Sequence, residues 1–123
     1  MDEAYQITKM GDITVVKFIH QPGYKDFYDA LEKVLKQGQC ARYRLWDLTC
    51  GFDLSIPEIK DLGLYSKSLI DGLPAMVGVI APDNLSFGLA KMIGDYSHSE
   101  SIDYQVFRSQ YQALKWMTAN GIK

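Results

Sequence analysis

The chain has 123 residues, 47% of them apolar, and a formal net charge of −2. That is enough apolar material for one compact domain with its own core, expected to span residues 1–123. Acidic and basic residues nearly cancel and alternate without a basic stripe, so no nucleic-acid partner is expected.

The start, MDEAYQITKM, has neither a basic opening nor an apolar run. No segment approaches the roughly twenty apolar residues of a membrane span, and a cytoplasmic protein is expected. Cys40 and Cys50 form no CxxC or Cys/His cluster, so the expectation is two reduced, partly buried thiols without zinc or redox chemistry.

Tyr5 to Lys9 and Ile13 to Ile19 are β-rich runs separated by Met10-Gly11-Asp12, which predicts an opening hairpin. From Tyr24 to Lys36 the apolar residues Phe27, Leu31, Val34 and Leu35 recur at helical spacing, and Gly38 suits a helix end. Arg44 to Leu48 predicts a strand. Ile56 to Ile70 predicts a helix burying Ile59, Leu62, Ser66 and Leu69. Its start is marked by a capping box, Ser55 with Glu58 three residues on, and by Pro57 in the first turn, where the missing N–H costs nothing.

Ala75 to Ala81 is apolar throughout and bounded by Pro74 and Pro82, as suits a strand covered on both faces. Asp83 or Asn84 then caps a helix running to about Tyr96, with Leu85, Leu89, Met92, Ile93 and Tyr96 as its core stripe. Ile102 to Phe107 alternates as a strand. Ser109 to Ala119 closes as a helix with Ala113, Trp116 and Met117 inward, stopped by Asn120 and Gly121. The order β-β-α-β-α-β-α-β-α predicts an α/β domain with a mostly parallel five-stranded sheet and an N-terminal hairpin.

In such a sheet the loops leaving the carboxyl ends of the strands share one edge. That rim collects His20 and Gln21, then Asp47, Thr49 and Asp53, then Asp83 and Asn84, and finally Arg108, with Ser55 at the following helix start. An enzyme reading makes His20 a general base oriented by Asp47 or Asp83, with Ser55, Thr49 or Cys50 as nucleophile. No motif such as a GxSxG elbow joins these residues, and cap and turn duties explain Asp47, Asp83 and Ser55. His20 and His98 lie too far apart in sequence to suggest a metal site, and neither metal nor cofactor is expected. The helix from Leu85 to Tyr96 is unusual in carrying Phe87, Gly88, Ala90 and Gly94 away from its core stripe. Two glycines that weaken a helix suggest close approach by a partner or deep burial, and these four residues are the candidate interaction face.

With RLWDLTC, VGVIAPDNLSFGLAKM and YQVFRSQYQALKWM in view, the chain resembles the SpoIIAA-like family of the STAS/Sec14-related group over nearly its whole length. The matching positions are Trp46-Asp47-Leu48, Phe87-Gly88-Leu89-Ala90 with Met92, and Val106-Phe107-Arg108 with Ala113, Leu114 and Trp116. The resemblance implies a STAS-like fold and a non-enzymatic regulatory or interaction role. Related STAS regulators are switched by phosphorylation of a Ser in an Asp-Ser-Ser-Gly loop after an Asp-Leu-Ser strand end. Here Asp47-Leu48-Thr49 matches the strand end but GFDLSIPEI departs from the loop, so Ser55 is read as a cap and the switch is not carried over. The Sec14-related branch binds lipids. The expected partner is therefore a second copy or another protein, with a small apolar or anionic, lipid-like ligand as the alternative; a carrier would need a cavity of at least a few hundred Å³.

Overall fold

The computed structural model describes residues 4–37, 42–70 and 74–120. The expected helix end at Gly38, the Cys40 thiol and the stop at Gly121 lie outside them. The strands are β1 (Tyr5–Met10), β2 (Ile13–Phe18), β3 (Tyr43–Asp47), β4 (Ala75–Ile80) and β5 (Ile102–Phe107). The helices are α1 (Tyr24–Leu31), α2 (Ile56–Ile70), α3 (Asn84–Tyr96) and α4 (Gln110–Asn120). This is the predicted α/β order, a five-stranded sheet in which β1 is antiparallel to β2 and every later pair is parallel.

The strands lie in the order β1-β2-β3-β4-β5, each beside its predecessor. Crossovers of one hand that always advance in one direction deliver their helices to one face. Accordingly Phe27 and Leu31 of α1, Ile59 and Leu62 of α2, and Leu89 and Ala90 of α3 share a core with Val16, Phe18, Trp46, Val77 and Val79. The alternate residues Ile13, Val15, Leu45, Met76 and Ile80 face the other way and are met by Ala113 and Met117 of α4. All six residues of β4 are buried, which is why that segment has no polar alternation.

Three details depart from expectation. The first helix changes after Leu31 into a π-helical segment, Glu32–Gln37. No proline or glycine there signals it, and the wider turn still leaves Val34 and Leu35 buried. Leu85, placed in the core stripe by its spacing, is 53% exposed, because the buried side of α3 is drawn through Ser86, Leu89, Ala90 and Gly94 instead. Trp116 is only partly buried, packed against Phe107 with ring centroids 5.4 Å apart.

Aromatic packing ties the helical layer together. Phe27 bridges Phe18 at 4.8 Å and Phe52 at 5.2 Å, and Tyr28 of α1 stacks on Tyr65 of α2 at 4.3 Å. The Tyr24 hydroxyl donates to Asp61 on α2, a bond that pushes its pKa up to about 12.

Candidate functional site

The loop after β3 shows how the carboxyl rim is built. Asp47 is buried and its Oδ1 accepts from the Thr49 N–H at 3.0 Å, closing a turn. Gly51 follows at φ +79°, a conformation that side chains resist, and a Cβ there would lie 3.1 Å from Asp83 Oδ2. Phe52 and Leu54 then point into the core while Asp53 and Ser55 stay exposed. Ser55 completes the predicted capping box. Its N–H donates to Glu58 Oε1 at 3.0 Å, and the Glu58 N–H donates to Ser55 Oγ at 3.3 Å.

This loop is fastened to α3 by Ser86, which is 1% exposed. Ser86 Oγ accepts from the Phe52 N–H at 2.9 Å and donates to the Phe52 carbonyl at 3.3 Å. Asp83 caps α3 by accepting from the Ser86 N–H at 2.8 Å. That bond, with a smaller contribution from the Arg108 charge, holds the Asp83 carboxyl below the usual range. Arg108 crosses from the end of β5, and its Nη1 donates to the Pro82 carbonyl and to Asn84 Oδ1, both at 2.9 Å.

Of the residues in the enzyme reading, Asp47 accepts from the Thr49 N–H, Asp83 from the Ser86 N–H and Ser55 Oγ from the Glu58 N–H. His20 is exposed, with Nδ1 3.3 Å from the Gln21 carbonyl, and the Cys50 Sγ lies 3.4 Å from the His20 carbonyl. Desolvation raises the pKa of the Cys50 thiol, which disfavours the thiolate a nucleophile requires. His98 is also exposed, in the turn after α3. Among the described residues no group of three or more His, Cys, Asp or Glu side chains is placed to hold a metal ion, and no described helix is long and apolar enough to cross a membrane.

Strand order governs where a cleft can open at a carboxyl rim. Ligand clefts at carboxyl edges open where the strand order reverses and adjacent loops diverge to opposite faces. Here the order never reverses. A groove of about 480 Å³ lies along the side of the sheet between α3 and the outermost strand β5, lined by Phe87, Lys91, Asp95, Tyr104 and Val106 among others. A second groove of about 170 Å³ flanks the other face of the same strand, against Trp116 and Asn120 of α4.

The proposed interaction face divides at this groove. Phe87 is half-buried, and its ring is met by the Arg108 guanidinium at 4.4 Å from the centroid and by the Lys91 ammonium at 5.3 Å. Gly88 is exposed, and a Cβ placed on it would meet nothing within 4 Å. Ala90 and Gly94, in contrast, are buried inside the monomer and do not form an open face. A Cβ on Gly94 would come within 2.3 Å of the Tyr104 ring, whose hydroxyl donates to the Ala90 carbonyl at 2.6 Å. The glycine is there so that α3 can seat Tyr104 of β5.

Sequence reasoning also passed over Arg44, which is 2% exposed and follows Trp46 in facing the helical layer. It borders an apolar cavity of about 60 Å³ with Trp46, Leu62, Ser66 and Tyr104. That is well short of the few hundred Å³ expected of a carrier. An arginine at alternating position within YRLWD was the available signal. No family model, curated protein or solved structure matches this chain.

Proposed function

We propose that the chain is a non-enzymatic interaction module of the SpoIIAA-like, STAS-related kind, acting in the cytoplasm, and that it binds through the β5 side of the sheet. The observation that carries this reading is an outermost strand flanked by grooves on both faces. The N-terminal hairpin, the unreversed strand order and the placement of Trp46-Asp47-Leu48 at a strand end support the family assignment. An exposed strand edge offers main-chain hydrogen bonds to an extended segment, and pockets on either side of it select side chains.

The test is selection of binding segments from a displayed library of random peptides. Expected are extended peptides with alternating apolar residues, whose binding is lost in Val106→Pro while the unfolding midpoint changes little. A failure to enrich any peptide, or binding indifferent to that substitution, counts against the reading.

A second reading, a binder of a small apolar acid, is favoured by the Arg44 charge at the wall of the apolar cavity. It requires the helices to part, since the preformed space is small. Native mass spectrometry that finds no adduct on the purified protein after incubation with medium-chain fatty acids would remove it.

A further inference from the structure

We infer that the partner fitting the β5 edge is a second copy of this chain, joined by antiparallel β5 to β5 pairing about a two-fold axis at Tyr104. The inference rests on the edge reading above and specifies its occupant. The Ala75 N–H donates to the Ser101 carbonyl and the Ala81 N–H to the Phe107 carbonyl. Odd-numbered residues of β5 therefore turn their backbone groups to β4, and Ile102, Tyr104 and Val106 turn theirs outward. The Ile102 N–H is taken by the Ser99 carbonyl at 3.1 Å. Among the described residues the Ile102 carbonyl and both groups of Tyr104 and Val106 face the open edge.

Antiparallel strands bond only where outward residues meet outward residues, so the register is restricted. Centring on Tyr104 sets Tyr104 against the partner's Tyr104 and Ile102 against the partner's Val106, using every outward residue. On the α3 face this register sets Ile102 beside the partner's Val106, β-branched against β-branched, while each Tyr104 ring stays seated under its own α3. On the α4 face it sets Asp103 against the partner's Gln105, a polar pair with no like charges opposed. Centring on Gln105 would leave Ile102 without a strand residue to pair with.

Charge on α3 agrees with the same axis. Lys91 and Asp95 both line the groove, and among the described residues neither is in a salt bridge. Tyr104 meets α3 between Ala90 and Gly94. A two-fold at that level reverses the order of Lys91 and Asp95 between copies and turns each Lys91 toward the partner's Asp95. Such self-complementarity is what an isologous interface demands.

The test is native mass spectrometry with sedimentation equilibrium on the full chain and three variants. The wild type is expected to be a dimer. Val106→Pro removes an outward N–H without touching the β4 ladder and is expected to be a folded monomer. Gln105 is exposed, and its two substitutions separate the registers without relying on proline. Gln105→Lys places a cation opposite Asp103 twice per dimer and tightens association about tenfold, whereas Gln105→Asp weakens it by a similar factor.

A wild type that stays monomeric at about 100 μM overturns the inference. If displayed peptides then still bind in a Val106→Pro-sensitive manner, the edge reading survives and only the second copy is wrong. Weakening by both Gln105 substitutions overturns the register, because lysine would then be facing lysine. A dimer indifferent to all three variants overturns the interface.

Discussion

Gly88 and Gly94 are the same residue in the same helix, yet alanine at the two positions should move stability in opposite directions. Each substitution gains helix propensity of about 1 kcal/mol, since glycine loses more backbone freedom on folding. At Gly88 nothing lies within 4 Å of the added methyl, so Gly88→Ala should stabilise by nearly that amount. At Gly94 the methyl meets Tyr104 Cε1 at 2.3 Å and Cδ1 at 2.4 Å. That ring is held by its hydroxyl on Ala90 and cannot swing aside freely. Overpacking of this kind costs typically 1–3 kcal/mol, so Gly94→Ala should lose about 1 kcal/mol net. Urea unfolding at constant m-value reads both. The double variant Gly94→Ala with Tyr104→Val should restore stability relative to the sum of the single changes, a coupling of at least about 1 kcal/mol. A Gly94→Ala protein as stable as the wild type, or an additive double variant, would refute the close approach as the reason for glycine.

Three further perturbations probe the rim. Ser55→Ala should cost about 1 kcal/mol through loss of the cap, with peptide binding and association unchanged; an unaltered urea midpoint defeats it. Ser86→Ala strands the Phe52 N–H and carbonyl in a buried setting, an expected cost of about 1–3 kcal/mol, and should deprotect the Phe52 amide in hydrogen exchange more than amides of β4. Asp83 has its folded pKa lowered from 3.8, so its contribution to stability is present above that value and is lost as pH falls through the lower folded value. The stability gap between wild type and Asp83→Asn should therefore be constant near neutrality and narrow in acid; a gap that persists at about pH 2 contradicts the linkage.

Much of the frame was legible because each element carries a local signal. β-rich runs marked the opening hairpin, alternation marked β5, the Ser55 and Glu58 pair marked a helix start, and Pro74 with Pro82 bracketed the wholly apolar β4. The misreadings concern what only packing decides. Nothing in FGLAKMIG distinguishes Gly88, open to solvent, from Gly94, pressed against a tyrosine that arrives ten residues later. Leu85 obeyed the helical period but lay one position outside the arc that α2 and β5 cover. The rim residues sit at or after the carboxyl ends of the strands. Their mutual hydrogen bonds depend on how three loops meet, and that is not periodic.

The shift of interest from the carboxyl rim to the side of the sheet follows from strand order, which the sequence does not encode locally. The two outer strands are not equivalent. The Ile19 N–H donates to the Ala4 carbonyl, which turns the backbone of Tyr5, Ile7 and Lys9 outward on β1. Lysine on an exposed edge is a common guard against unwanted pairing, because burying its ammonium against another strand is costly. Lys9 stands in that position and is exposed. β5 carries neither lysine nor proline, and its one charge, Asp103, belongs to a residue whose backbone is already bonded to β4. A chain that guards one edge and leaves most donors and acceptors of the other facing outward between two grooves suits the pairing proposed at that second edge, and the outward sequence Ile102, Tyr104, Val106 reads nearly the same in reverse, as antiparallel self-pairing requires.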